Sequence, residues 1–146
     1  MFVWLENGEL KVAFQKELAP QNAIEIDTFG LNPIPPIEAF IKIENGQIIK
    51  KSEEEVLQWL KNSKLTELKS YVASLLERTD YVIVRIAEAE ALGNTEVVEQ
   101  LKQRYAKQLQ QRQAIREWNE QMKQAIRNAK TLEELRSIFI GFQKEV

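Results

Sequence analysis

The acidic side chains are the residues whose types could support catalysis, but their spacing argues against it. They are densest at Glu53-Glu54-Glu55 and at Glu88 and Glu90. Successive glutamates after Ser52 are typical of a helix N-terminus, where they bind free amides and oppose the helix dipole. Residues two apart on a helix point in different directions, so Glu88 and Glu90 cannot share a substrate or a metal ion.

Missing residue types exclude most other chemistry. The chain has no Cys and no His. This excludes disulfides, thiolate nucleophiles and zinc–thiolate sites, and removes the commonest general base near neutral pH. The sequence also contains no phosphate-binding glycine loop, G-x-S-x-G elbow or HExxH motif. We therefore predict a protein that is not an enzyme and that has no cofactor and no metal site.

The basic residues cluster in one segment of a chain whose net charge is −2. Residues 101–130 hold 8 Lys and Arg against 2 carboxylates. They are spread around the predicted helix, and Trp118 lies on its apolar stripe rather than among them as a stacking platform. A solvated helix face is the favoured interpretation and a nucleic-acid groove the alternative. Nucleic acid is not an expected partner.

The first part of the chain predicts short strands joined by tight turns. The triplet Glu-Asn-Gly occurs at residues 6–8 and again at 44–46, and Asn-Gly supplies the positive φ angles of a two-residue hairpin. The prolines in residues 31–37 exclude a central strand or a helix. A rigid surface connection is favoured there, and a polyproline-type ligand is the alternative. The predicted strands are 2–5, 10–14, 23–26, 39–43 and 48–49.

Helical patterns follow from Ser52. Ser52 and Glu55 form a capping box that opens a short connecting helix, with a turn or bend near Asn62-Ser63. From Leu65 to Ala89 mostly apolar residues recur at alternating spacings of three and four, which predicts one helix over 65–92 with a heptad seam. A kink at Thr79-Asp80 is the alternative to a continuous helix.

A helical hairpin completes the predicted architecture. Gly93 and Asn94 suit a helix stop and a new N-cap, so a second helix over 95–129 should run antiparallel to the first. Arg112 interrupts its apolar stripe, which predicts partly polar packing there, and Thr131 to Glu134 form a second capping box. We predict an α+β fold: a small antiparallel β domain (1–51), a connecting helix (52–64), and a long helical hairpin with a short C-terminal helix (65–146).

The apolar stripe of this hairpin is wider than one partner helix can cover. Bulky side chains flank the seam, and large exposed apolar patches usually mark interfaces. We predict a homo-oligomer, a dimer or trimer, formed through this surface. The alternative is that the short helices and the sheet cover the stripe within one protomer. The predicted interface residues are Val72, Leu75, Val82, Ile83, Ile86, Tyr105, Ile115, Trp118 and Met122.

The sequence gives no sign of a membrane protein. No apolar run approaches the roughly 20 residues that span a bilayer. The N-terminal MFVWLENGELK has no basic region followed by a long apolar stretch, so a secretory signal is not expected. We expect a soluble protein that is intracellular at synthesis.

Residues 77–138 resemble the C-terminal helical region of small tail-associated proteins of tailed bacteriophages, including tail fibre assembly proteins and chaperones. Three elements carry the resemblance: Thr79-Asp80 followed by the apolar run Tyr81–Val84, a helix with Tyr105 and the segment Arg112–Arg116, and the terminal element Ala129–Leu135. The strands and Glu-Asn-Gly turn of the N-terminal half also fit the plan of those proteins.

The resemblance implies a non-enzymatic phage or prophage protein, synthesised in the host bacterial cytoplasm, whose partner is a tail fibre or another tail component. The first hypothesis is a chaperone-like factor that assists tail fibre assembly through the apolar helical surface. The second is a permanent minor tail component, located in the virion tail, that homo-oligomerises through the hairpin. A third class is a phage inhibitor of a host defence protein.

Overall fold

Two Asn-Gly turns organise the N-terminal strands, as the sequence predicts. The computed structural model of the chain describes residues 1–143. Asn7 and Gly8 have φ angles of 52° and 79°, and Asn45 and Gly46 have 52° and 73°, the left-handed pair of a type I′ turn. Each turn joins two antiparallel strands, so both hairpins are confirmed. The strands are β1 (Phe2–Glu6), β2 (Glu9–Ala13), β3 (Ile24–Glu25), β4 (Ile41–Glu44) and β5 (Gln47–Lys50).

The strands form two separate sheets. One has the order β2-β1-β3 and the other is the β4-β5 hairpin. The further strand predicted over residues 23–26 is present but shorter, and it pairs with β1 through Val3 and Ile24. Side chains alternate between the two faces of a strand, and Val3 lies fully buried beside β3 while Trp4 is half-buried. Ala39, Phe40 and Val56 are also fully buried in this part of the chain.

Helices make up most of the rest of the chain, so the predicted α+β class is confirmed. The chain divides into two compact units, residues 1–60 and residues from 61 onward, and the division falls inside α1. Short 3₁₀ helices occur at Lys16–Leu18 and Ile37–Ala39. The α-helices are α1 (Glu53–Glu77), α2 (Asp80–Ala91), α3 (Thr95–Arg104), α4 (Ala106–Asn128) and α5 (Leu132–Ser137).

The predicted capping box at Ser52 is complete, and the one at Thr131 is present with a shifted return bond. At the start of α1 the Ser52 N–H donates to Glu55 Oε1, and the Glu55 N–H donates to Ser52 Oγ, each over 3.2 Å. At the start of α5 the Glu134 N–H donates to Thr131 Oγ1 over 3.1 Å. The Glu134 carboxylate returns to the N–H of Lys130, at 2.7 Å, instead of that of Thr131. Each box satisfies amides that a helix N-terminus otherwise leaves free.

The α1 capping box predicts a measurable acid sensitivity. The Ser52 backbone N–H lowers the pKa of the Glu55 carboxyl below its ordinary value of 4.5; Lys42 adds to this effect and desolvation opposes it. A depressed folded-state pKa means that the stabilisation is complete above pH 4.5 and is lost as the pH falls through the lowered value. We expect an NMR titration of the Glu55 carboxyl to show its midpoint below 4.5.

The matched variant is Glu55→Gln, which cannot titrate at this position. Its deficit in unfolding free energy relative to the unmodified chain should shrink as the pH falls below 4.5. A Glu55 midpoint at or above 4.5, or a deficit that does not change with pH, would contradict this role for the capping box.

The helix end predicted near Asn62-Ser63 is wrong, because α1 is continuous from Glu53 to Glu77. Asn62 and Ser63 are both exposed on the helix surface. Their weak helix propensity costs only a few tenths of a kcal/mol each, which the surrounding helix easily outweighs. Thr66 also donates from Oγ1 to the Asn62 carbonyl over 3.0 Å.

The continuous helix predicted over 65–92 is also wrong, and the alternative of a kink at Thr79-Asp80 is confirmed. α1 ends at Glu77, Thr79 has non-helical angles (φ −123°, ψ 11°) and α2 begins at Asp80. The N–H of Thr79 donates to the Leu76 carbonyl at 3.0 Å, and that of Val82 to the Thr79 carbonyl at 3.1 Å. These bonds span three residues instead of four, so the turn is tightened.

The second predicted helix, 95–129, is interrupted at Tyr105, which separates α3 from α4. Tyr105 has φ −104° and ψ 21°. The Tyr105 N–H still donates to the Leu101 carbonyl (2.9 Å), and the Tyr105 carbonyl still accepts from the Leu109 N–H (3.0 Å). The interruption is therefore a local distortion, and the chain keeps its direction.

The turn between α2 and α3 follows the sequence prediction. Gly93 has φ 68°, and its N–H and that of Asn94 donate to the carbonyls of Glu90 and Ala89. This pair of bonds is a Schellman motif, in which the left-handed residue is usually glycine. Asn94 then caps α3, because its side-chain oxygen accepts from the Val97 N–H at 3.3 Å.

Candidate protein-interaction surface

Arg112 on α4 holds the corner between α1 and α2. It is the only buried charged residue of the part of the chain that is described, with 8% of its surface exposed. Its Nη1 donates to the Leu76 carbonyl at 2.8 Å, to Thr79 Oγ1 at 3.0 Å and to Asp80 Oδ1 at 2.9 Å. The partly polar packing predicted at Arg112 is therefore confirmed. A helix C-terminus attracts a cation, so the guanidinium stabilises the end of α1 where the chain bends.

Beyond this corner, α2 and α3 form an antiparallel tip with its own apolar cluster. The Arg85 guanidinium donates to the Tyr105 hydroxyl. Tyr81 and Tyr105 meet edge to face, with ring centroids 5.7 Å apart. The Arg85 guanidinium also lies over the Tyr81 ring, 5.7 Å from its centroid. Edge-to-face and cation–π contacts each add about 0.5–1 kcal/mol at exposed sites. The buried members of the cluster are Val82, Ile86, Ala89, Val98 and Tyr105, with Val97, Leu101 and Leu109 packed against them.

Most of the predicted interface residues belong to the interior of a single protomer. The prediction of one exposed surface is wrong for five of them, which are buried: Val72, Val82, Ile86, Tyr105 and Ile115. Leu75, Trp118 and Met122 are half-buried. Ile83 is the exception, with 43% of its surface exposed. The heptad seam is therefore used within the chain.

Trp118 shows how the chain covers its own stripe. Its ring lies 5.8 Å from that of Tyr71 on α1 and 5.5 Å from that of Phe142, which follows α5. The Phe142 N–H donates to the Tyr71 hydroxyl at 3.0 Å. The C-terminal segment thus folds back onto the α1–α4 pair. This contact supports the alternative prediction that elements of the same protomer cover the stripe.

A second apolar surface lies on α2, facing away from the tip cluster. Buried residues Val82, Ile86 and Ala89 occupy one side of the helix. The residues on the other side are all exposed, and they fall within an arc of about 100° at 100° per residue. A helix that is apolar on both sides is usually covered on both. We name this surface the α2 outer face; it consists of Ile83, Val84, Ala87 and Ala91.

The apolar pair Ile83-Val84 in the sequence indicates this surface. The heptad pattern, however, predicts an interface on the other side of the helix, at Val82 and Ile86. Val84 is 54% exposed and is the most exposed β-branched residue of α2. Acidic side chains flank the face at Asp80, Glu88 and Glu90. Small residues at Ala87 and Ala91 would let another helix or strand approach closely. The face is suited to protein contact and offers no group that could act as a nucleophile.

Two further kinds of site are absent from residues 1–143, a metal cluster and a membrane-spanning helix. Within this range no group of three or more metal-ligating side chains lies close enough together to hold an ion. Over the same residues no helix combines the length and the apolar character needed to cross a membrane.

Comparison with known proteins gives no relative. No family model matches the chain, and no curated protein and no solved structure is similar to it.

Proposed function

We propose that this chain is a non-enzymatic, tail-associated bacteriophage protein that binds a tail fibre protein through the α2 outer face and assists its assembly. Two observations support the proposal. The resemblance of residues 77–138 to tail fibre assembly proteins gives the class of partner. The exposed apolar residues of the α2 outer face provide a place for that partner to bind.

The α2 outer face is the observation on which the binding role rests. Val84 and Ile83 expose about half of their surfaces, while the opposite side of α2 is already buried. Full burial of an exposed Val or Ile side chain contributes about 1.5–3 kcal/mol, so covering the exposed half of each residue would contribute about half of that. A partner that covers the face would recover that free energy. Its edges should be basic to match Glu88 and Glu90, since Asp80 is already paired with Arg112.

The test is co-expression with the tail fibre protein encoded by the same phage, which carries an affinity tag. We expect the unmodified chain to co-purify with the fibre protein, and Val84→Glu to reduce the recovered amount at least tenfold, because it places a charge in an apolar contact. The control is Phe139→Glu, which changes another exposed apolar residue (73% exposed) outside the α2 outer face. Failure to co-purify, or equal losses for both variants, would contradict the proposal.

The alternative function is a permanent tail component in which the same face binds a second copy of the chain. The small residues Ala87 and Ala91 favour it, since they are four apart and allow close helix contact. Light scattering of the purified chain separates the two ideas. A dimer or trimer that Val84→Glu converts to a monomer would support the structural role, and mass spectrometry of purified virions should then detect the chain. Absence from virions together with a monomeric mass supports the assembly role.

A further inference from the structure

A cleft between α1 and α4 combines an apolar base with a basic opening. Its volume is about 310 Å³, at the lower end of the range for ligand sites. Leu65, Leu68 and Val72 line it from α1, one helical face at spacings of three and four. Leu68 and Val72 are buried and Leu65 is half-buried. The base of the cleft can therefore take an aliphatic group.

The charged residues that line this cleft are all basic. Lys69 comes from α1, and Lys123 and Arg127 come from α4. Lys123 bonds to Glu120 at 3.0 Å, an exposed pair of the kind that contributes little. Lys69 and Arg127 form no salt bridge with any residue in the range 1–143. The opening thus attracts a negatively charged group.

Asn119 supplies a third feature. It lines the same cleft, and its Oδ1 is buried without a hydrogen-bond partner within the described chain. A buried acceptor without a donor costs about 1–3 kcal/mol, so native proteins usually satisfy such atoms. The atom is closed to solvent in the free chain; a group that enters the cleft, shifts the side chains that cover Asn119 and donates an N–H to Oδ1 would remove this cost.

We propose that this cleft binds an acidic segment of another polypeptide. An aliphatic side chain of the segment would contact Leu65, Leu68 and Val72, its carboxylates would pair with Lys69 and Arg127, and a backbone N–H would donate to Asn119. A peptide is the ligand class that carries all three groups within a few atoms. The cleft is separate from the α2 outer face, and its role does not depend on a phage partner.

The experiment is an NMR titration of the full chain with three probes. The blocked peptide Ac-Leu-Glu-Leu-Glu-NH₂ carries all three groups, Ac-Leu-Gln-Leu-Gln-NH₂ lacks the charge, and octanoate lacks the N–H donor. We expect saturable amide shifts, centred on residues 65–72 and 119–127, with the acidic peptide. The neutral peptide and octanoate should each bind at least tenfold more weakly, since each lacks one charge-assisted or buried hydrogen bond.

Variants of the chain identify the groups that bind. Lys69→Gln combined with Arg127→Gln should weaken binding of the acidic peptide at least tenfold. Lys102→Gln combined with Lys107→Gln removes the same charge elsewhere and should leave its affinity unchanged. Asn119→Leu should abolish the preference for the peptide over octanoate. Equal affinity for all three probes, shifts centred outside the cleft, or equal losses of affinity in the two double variants would overturn the proposal. A bound peptide alongside a fibre protein that fails to bind would leave this site standing and reject only the proposed function.

Discussion

Replacing Arg112 with methionine is expected to lower the free energy of unfolding by about 2–4 kcal/mol. The substitution keeps an unbranched side chain but removes the donor that serves Leu76, Thr79 and Asp80. The Leu76 carbonyl and the Thr79 hydroxyl lie in a partly buried corner, so they lose a partner that water only partly replaces. The Asp80 side chain is 57% exposed and remains solvated, which keeps the loss below that of a fully buried ion pair. Urea unfolding followed by circular dichroism measures the change.

Two control variants separate the corner from ordinary charge removal. Arg116→Met removes a cation from an exposed position of the same helix and should change stability by less than about 0.5 kcal/mol. Asp80→Asn keeps an acceptor facing Arg112 and should cost less than about 1 kcal/mol. If Arg112→Met and Arg116→Met had equal effects, Arg112 would not be holding the corner.

Replacing Val82 with glutamate is expected to unfold the helical tip, with a loss of more than about 4 kcal/mol. Val82 is fully buried in the cluster shared by α2 and α3. A carboxylate at this position has no cation within the cluster. It must either be protonated or reach water, which requires α2 to separate from α3. The change should appear as lost helical circular dichroism and as a lower midpoint of thermal unfolding.

The neighbouring substitution Val84→Glu provides the matched comparison. It introduces the same side chain two residues away, on the exposed α2 outer face, and should shift stability by less than about 0.5 kcal/mol. The pair therefore distinguishes interior from surface on one helix. A folded Val82→Glu protein of normal stability would show that Val82 is not a core residue. It would favour the prediction from the sequence, in which Val82 lies in an interface between protomers.

Local signals in the sequence were sufficient for the strands and the helix ends that use them. Asn7-Gly8 and Asn45-Gly46 specify their turns because few residue pairs accept two positive φ angles. Ser52, Thr131 and Gly93 likewise act within three or four residues of their own positions. These turns and helix ends can be predicted from the sequence because the residues that determine them lie within a few positions of the structure they form.

The helix interruptions at Thr79 and Tyr105 have weaker local causes. Thr79-Asp80 is compatible with either a kink or a continuous helix, and the difference is made by Arg112, which is 33 residues from Thr79. Tyr105 carries no breaker, and its ring is held by Arg85 from the facing helix. Conversely, Asn62-Ser63 looks like a break and is overridden by the helix around it. Propensities of a few tenths of a kcal/mol yield to such tertiary contacts.

The candidate surface shows a further limit of periodicity. An apolar stripe indicates which residues are shielded from water. It does not indicate whether the residues that pack on the stripe belong to the same chain or to another. Phe142 covers Trp118 from beyond α5, a contact that no pattern within one helix could reveal. Ile83 and Val84 were visible as apolar residues outside the seam, and only the burial of Val82 and Ile86 shows that they face away from the core.

The end of α1 is determined by a residue that is translated long after it. Arg112 follows Leu76 by 36 positions, so α1 and α2 are synthesised before the donor that serves their corner. Until α4 arrives, the nascent segment has nothing to stop one helix from continuing through Thr79. The corner is therefore acquired late in synthesis, and the direction in which the α2 outer face points is fixed at the same moment.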